Sequence, residues 1–359
     1  MFKIANVNVF REFEIVYIGQ FGSIKMASPT SHDVAKKAGV SIATVSRVLN
    51  DSPLVTESAR RQVLRAVQEL NYQPNRTAQR LRAGRSRVIG LIISDIQNPF
   101  FTSVVRGIED LAYQHGYSLV LCNSDEDVQK EQLYIEILSS ERVAGVIILP
   151  TGIDCCAPLF NLRMPVVMMD RVVAGFDTDT VVVENVSGAF AATQHLVELG
   201  HKRIGLVGAP SGISVGSERQ QGYARALAAH GIATGETLIR IGNFKETGGY
   251  QAARELLDLN PRPTALFVAN NLMTLGALVA IRERGLRIPE DISIIGFDDM
   301  PWANLLQPPL TAIAQPTYEL GQRAAQLLLA RLQDRTKPLV HECLETRLVV
   351  RGSTSVPPQ

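Results

Sequence analysis

Hydrophobic and polar positions change rhythm twice along this chain. Between residues 30 and 72, apolar residues fall at helical spacing in short stretches broken by turn residues. Residues 73–87 are polar and basic, with no large apolar residue except Leu81. From Val88 onward, short β-branched runs alternate with longer amphipathic stretches. The runs predict strands at Val88–Ser94, Tyr117–Asn123, Ala144–Leu149, Pro165–Met169, Thr180–Glu184, Arg203–Gly208, Ala265–Val268 and Ile292–Ile295. Between them, helices are predicted at Phe101–His115, Gly188–Leu199, Glu218–His230, Gly248–Leu257 and Met273–Arg284. Apolar strands separated by helices make parallel sheets covered on both faces, which take ligands at the carboxyl ends of their strands. The elements are too many for one small sheet, so the pattern predicts two α/β lobes with a cleft between them.

The first zone has its own signals. Thr30 caps a helix over Ser31–Lys37, with Asp33 in its first turn. Gly39 supplies a positive φ for a tight turn, and Ser41 caps a second helix running to Leu49. Val45, Val48 and Leu49 form the buried stripe of that helix, leaving Ile42, Ala43, Thr44, Ser46, Arg47 and Asn50 outside. Ala35, Gly39 and Val45 have helix-turn-helix spacing, which an ordinary helical hairpin also satisfies. Thr56 caps a third helix, with Val63, Leu64, Val67 and Leu70 as its apolar face and Tyr72 following.

Charge sharpens this picture. The whole chain is only +1, but residues 26–85 carry ten cations and four anions, a local net of +6. A basic module on a mildly acidic body suits a polyanionic partner, although a solvated helical surface has the same composition. Four cysteines, Cys122, Cys155, Cys156 and Cys343, lack metal-ligand spacing, so reduced thiols and a cytoplasmic location are expected. No apolar run is long enough to span a membrane, and no dinucleotide fingerprint or phosphate loop is present. The six histidines form no catalytic triad order or metal cluster, so neither enzyme nor cofactor chemistry is expected. Residues 1–25 are expected to be a disordered or mis-assigned extension preceding a start at Met26.

Three segments together carry a specific resemblance. They are Asp33-Val34-Ala35-Lys36-Lys37-Ala38-Gly39-Val40-Ser41, Thr44-Val45-Ser46-Arg47-Val48-Leu49-Asn50 and Leu70-Asn71-Tyr72-Gln73-Pro74-Asn75. From about Thr30 to its end the chain resembles the lactose/galactose repressor family of bacterial transcription regulators. The resemblance implies an N-terminal all-α helix-turn-helix domain and a two-lobed α/β sensor resembling a periplasmic binding protein. The second helix would enter the major groove of double-stranded DNA, with Ile42 and Ala43 as the base-reading pair. Thr30, Thr44, Ser46, Arg47 and Asn50 would add base or phosphate contacts. Ile42 and Ala43 offer no hydrogen bonds and can only pack on thymine methyls or shape the approach. The stretch Asn75-Arg76-Thr77-Ala78-Gln79-Arg80-Leu81 matches the family's hinge helix. The resemblance makes Leu81 the minor-groove wedge, with Ala78 close against the groove and Asn75 a further DNA-binding residue. Read without the family, Leu81 would simply pack the linker onto the sensor.

Sensor landmarks follow in family order: Asn98-Pro99-Phe100-Phe101, His201-Lys202-Arg203-Ile204, Arg219 with Gly222-Tyr223, Ala269-Asn270-Asn271, Gly296-Phe297-Asp298-Asp299, and Pro308-Pro309-Leu310-Thr311 leading to Gln315-Pro316. Phe100, Phe101 and Phe244 can stack on a ligand ring or serve as ordinary core. Arg219 offers a fork of donors for vicinal hydroxyls or a carboxylate. Asn270 supplies donor and acceptor together, and Asp298, past a strand's carboxyl end, accepts hydroxyl protons. Gln315 and Asp125 complete the expected effector site, and Asp299 reads as structural. Trp302 covers either the cleft or a dimer face, and Glu184, where the family commonly has Asp, would alter the pocket.

The expected organisation is thus residues 1–25 as extension, 26–74 as helix-turn-helix domain and 75–87 as hinge and linker. Residues 88–185 and 315–340 form the first lobe, and 186–314 with 341–355 form the second. The expected function is a homodimeric repressor on a pseudo-palindromic operator, controlled by a small-molecule effector of the sugar class, without membrane attachment. A purine corepressor would ask for a base slot, and an import receptor would lack the DNA module. The tail from Thr354 to Gln359 shows no leucine heptads, which favours a dimer over a tetramer.

Overall fold

The computed structural model describes residues 29–49, 51–72, 86–152, 159, 162, 164–173 and 175–358. The chain divides into two compact units, one ending at Gly84 and the other beginning at Arg85.

The first unit holds α1 (Ser31–Ala38), α2 (Ile42–Leu49) and α3 (Glu57–Glu69). Thr30 and Asp33 form a reciprocal capping box, and Asp33 is held below the usual carboxylate range chiefly by the Thr30 hydroxyl. Gly39 ends α1 at φ 66°, and its N–H donates to Ala35. The Ser41 hydroxyl accepts from Thr44 N at 3.1 Å and opens α2. Val34, Ala35, Ala38, Val45, Val48, Val63 and Ala66 are buried together, with Leu49, Val67, Leu70 and Tyr72 packed around them. Leu64, expected in this core, is exposed instead. One position beyond Val63 on a helix is about 100° around the axis, so Ala66 and Val67 take the inner face. Lys37 and Glu69 pair at 2.9 Å and tie α1 to α3.

The second unit contains two sheets. Its first lobe is built from β1 (Val88–Ile93), β2 (Ser118–Asn123), β3 (Gly145–Ile148), β4 (Val166–Met169), β5 (Asp179–Val183) and β11 (His341–Leu344). They run in the order β11-β5-β4-β3-β1-β2, all parallel. Its helices are α4 (Pro99–Gln114), α5 (Val128–Ser140) and α10 (Thr317–Gln333). In α4 and α10 the backbones nearly touch: a Cβ on Gly107 would lie 2.2 Å from Tyr318 O, and one on Gly321 would lie 2.2 Å from Val104 O.

The second lobe repeats the plan with β6 (Ile204–Gly208), β7 (Ile239–Ile241), β8 (Ala265–Val268), β9 (Ser293–Phe297), β10 (Thr311–Ala314) and β12 (Arg347–Val349). The order is β12-β10-β9-β8-β6-β7, with β12 antiparallel to β10 and the rest parallel. Helices α6 (Asn185–Glu198), α7 (Ser214–Ala229), α8 (Glu246–Leu257) and α9 (Asn271–Glu283) flank it.

The chain therefore passes between lobes at residue 184, at 315–316 and at 345–346. This moves one expected boundary. Residues 341–344 belong to the first lobe, since His341 aligns with Thr180 and Leu344 with Val183. The second lobe takes up the C-terminal stretch only at Arg347. Among the described residues no helix is long and apolar enough to cross a membrane.

Candidate functional sites

On α2 the burial pattern separates a packing face from a free one. Val45 and Val48 are buried, whereas Ile42, Ala43 and Arg47 are exposed and Thr44 and Ser46 half-exposed. The expected reading residues therefore share the outward face of one helix, and Thr30 is spent largely on capping α1. Asn50, Asn75, Ala78 and Leu81 lie outside the described residues.

The sensor site follows from strand order. In both sheets the order reverses beside the first strand, and loops leaving the carboxyl ends there diverge to leave a crevice. The two crevices face each other. Asn98, Phe100 and Phe101 follow β1, and Asp170 and Arg171 follow β4. From the other lobe come Val215 and Arg219 on α7, Phe244 after β7, Asn270 after β8 and Asp298 after β9, with Gln315 on the crossing segment after β10. The open space they enclose is small, about 20 Å³. Wider grooves of about 520 Å³ and 300 Å³ run along α4 and α10 and along α9, away from the strand ends. The chemistry converges in the narrow cleft.

Most polar groups in the cleft are held by neighbours, although Arg171 Nε and Gln315 Oε1 are buried without a hydrogen bond. Arg219, buried, donates from Nε to Asn185 Oδ1 at 2.9 Å and from an Nη to Ala269 O at 2.6 Å. Its guanidinium lies over the Phe297 ring at 3.8 Å. Asp298 accepts from Gln315 Nε2 and from Asn271 N. Asn98 caps α4 by accepting from Phe100 N, and also accepts from Asn271 Nδ2 at 2.7 Å. Asn270 caps α9 through Met273 N and donates to Phe244 O at 3.0 Å. Arg171 donates through both terminal nitrogens to Glu126 at 2.6 and 2.7 Å and covers the Phe244 ring at 4.8 Å. Lys245 reaches Asp95 at 2.9 Å, a second tie between the lobes.

Burial governs the acids. It pushes Asp170 up to about 6, with Arg171 and Arg219 opposing and Asp298 and Glu126 adding to the rise. Asp298 is also raised by burial, against the pull of Arg219, Gln315 and Asn271. Burial lowers Arg219, and Asp298 and Asp170 hold it back. For Arg171 burial works downward as well, but Glu126 outweighs it and the net shift is upward.

Seven of the eight expected effector residues line this cleft: Phe100, Phe101, Arg219, Phe244, Asn270, Asp298 and Gln315. Asp125 does not. It is paired with Lys130 and accepts from Asn123 Nδ2 at 2.9 Å, at the protein surface. Glu184 also turns to solvent, while its neighbour Asn185 is buried and positions Arg219. Trp302 packs half-buried against both lobe cores. Asp299 forks onto Arg351 at 2.7 and 2.8 Å and anchors the C-terminal segment. The sequence reading missed Asp170 and Arg171. They follow a strand's carboxyl end as Asp298 does, and that positional signal was available.

Comparison with known proteins agrees with both units. Residues 30–75 match the model for bacterial regulatory proteins of the lacI family, and residues 193–354 match a periplasmic binding protein-like domain. The chain is 37% identical over 331 residues to the HTH-type transcriptional repressor CytR of Escherichia coli K12, covering 92% of this chain and 97% of that protein. The Lac repressor dimer bound to operator and an anti-inducer superposes with a TM-score of 0.78 at 34% identity, covering 91% of this chain and 99% of that one. A LacI family regulator from Enterococcus faecium with bound ribose superposes with a TM-score of 0.67 at 34% identity, covering 75% and 99%.

Proposed function

Because the chain belongs to the lacI family of bacterial regulatory proteins, it is a DNA-binding transcription regulator, and we propose that its effector is a neutral sugar of about pentose size held between the two lobes. The observation that carries this reading is the balanced polar ring of the cleft. Arg171 is matched by Glu126, and Arg219 faces Asp298 and Asp170. With its cations already countered, the site favours an uncharged ligand over a sugar acid or phosphate. Asp170, Asp298, Gln315 and the two asparagines offer the mixed donors and acceptors that hydroxyl groups need.

A flat purine fits this geometry less well. Phe100 and Phe101 stand at 87° to each other, and the face of Phe244 is covered by Arg171, so these three rings form no open parallel slot among the described residues. The ribose bound in the Enterococcus faecium relative favours a small ring. On the DNA side, the exposed Ile42-Ala43-Arg47 face of α2 reads the operator, and the operator-bound dimer of the Lac repressor supports a homodimer here. The relatives act as regulators and not as enzymes.

Titration calorimetry with D-ribose, other pentoses, hexoses, sugar acids and purine nucleosides tests the effector class. Saturable binding of a pentose, with no response to the acids and nucleosides, is the expected outcome. Selective binding of a nucleoside or a sugar acid would replace it with a different ligand class.

A further inference from the structure

Three consecutive acids follow β2, and each has a different task. Asp125 pairs with Lys130 at the surface. Asp127 caps α5, accepting from Gln129 N at 2.8 Å and Lys130 N at 3.0 Å. Glu126 turns the other way, under the cleft. The backbone makes this possible by taking left-handed φ values at both Asp125 and Glu126, 57° and 62°. Two successive non-glycine residues in that region are costly and persist where the surroundings dictate them. Here Glu126 N donates to Ser94 O at 3.1 Å and Asp127 N to Ser124 O at 3.0 Å, which pins the turn against β1.

We propose that Glu126, which does not itself line the cleft, is a positioning residue that sets the effector-facing Arg171 across the lobe junction and onto Phe244. The proposal rests on the reading of this cleft as the effector site. Glu126 and Arg171 are 45 residues apart and meet fork to fork, at 2.6 and 2.7 Å. Because both terminal nitrogens are engaged, the guanidinium is fixed, with its central carbon 4.8 Å from the centre of the Phe244 ring. Only Nε is left without a hydrogen bond, and it is buried. It stands 3.6 Å from Asp170 Oδ2, an ion pair without a hydrogen bond. Phe244 is itself held at φ 62°, left-handed for a bulky residue, so both halves of the contact are constrained. Without the Glu126 fork, the nearest carboxylate able to turn Arg171 is Asp170, and that turn would lift the guanidinium off the ring. Glu126 thus decides which of two carboxylates Arg171 serves.

The test is Glu126→Gln in the full-length chain, with two readouts. The first needs no ligand. Asp170, facing Arg171, Arg219, Asp298 and Glu126, is pushed up to about 6 while Arg171 is engaged by the Glu126 fork and, at 3.4 Å, by Pro150 O. In E126Q the released Arg171 pairs with Asp170 and the Glu126 charge no longer adds to the rise of Asp170, so the fall in thermal midpoint between about pH 4 and about pH 7 becomes shallower. In Glu126→Asp, which keeps the charge, it becomes shallower only if Arg171 is released. The second is calorimetry with D-ribose, whose affinity falls about tenfold, one charge-assisted contact being lost. A folded E126Q chain with an unchanged pH profile and unchanged ribose affinity overturns the proposal. If E126Q does not fold, Glu126→Asp, which keeps the charge and withdraws the fork, is put through the same measurements with the same criteria. Absence of binding of ribose and of every other pentose to the unaltered chain would refute the sugar reading, and the pH profile then decides the positioning role alone.

Discussion

Replacing Asp170 with Asn isolates one buried charge. Asp170 is 5% exposed, and burial lifts it from the ordinary 3.8 to about 6. The folded chain therefore holds the Asp170 proton more tightly than the unfolded chain does. Its contribution to stability is fully present below about pH 4 and is lost as pH rises through about 6, where the folded carboxylate ionises without a hydrogen-bonded cation. The displacement corresponds to about 3 kcal/mol. Asn has nearly the same shape and cannot ionise, so D170N lacks this decline. All other titrating groups are common to both proteins and largely cancel in the difference. Relative to the parent, D170N should gain about 3 kcal/mol of stability between about pH 4 and about pH 7. In a sensor unit of this size that is a relative rise of about 6–12 °C in thermal midpoint. Scanning calorimetry of both proteins across that range reads the effect directly. A gap between the two that stays constant with pH would refute the account of Asp170 as a buried, proton-holding acid.

Two further outcomes follow from the geometry. Arg219→Lys keeps the charge but loses the fork that serves Asn185 and Ala269, so sugar affinity in calorimetry should drop about 10–100-fold. Operator binding without sugar should persist in R219K, and an unaltered sugar affinity would remove Arg219 from the ligand's contacts. Gly39→Ala meets no neighbour within 4 Å, so its cost is purely that of a left-handed backbone at φ 66°, about 1–2 kcal/mol. Hydrogen exchange on α1 and α2 in the full chain should then be about 5–30-fold faster, and unchanged protection would show that the turn does not need glycine.

Local pattern and long-range pairing contributed differently to what was legible. The strands β1, β3, β6 and β8 announced themselves as β-branched runs because a strand buried on both faces must be apolar at every position. The short β7 and β12 carry too few residues for any period to show. Helix α2 was readable to the level of individual faces, since burial on a helix follows its 3.6-residue turn. On α3 the same logic misplaced Leu64, because which of two adjacent apolar residues faces inward depends on where the neighbouring helices sit.

By itself, the sequence determined the alternation of strands and helices, the helix-turn-helix spacing around Gly39, the family, and most of the cleft residues at strand carboxyl ends. Those features rest on local spacing or on motifs a few residues long. Tertiary structure alone decided that residues 341–344 join the first sheet, because a strand's partner is set by backbone pairing with Thr180 to Val183, far away in the chain. It also decided that Glu126 and not Asp125 turns toward the cleft, and that Arg171 crosses to Phe244. Neighbouring acids look alike in a sequence. Only the left-handed turn at 125–126, and a guanidinium arriving from a loop 45 residues later, give one of them a role at the cleft and leave the other at the surface.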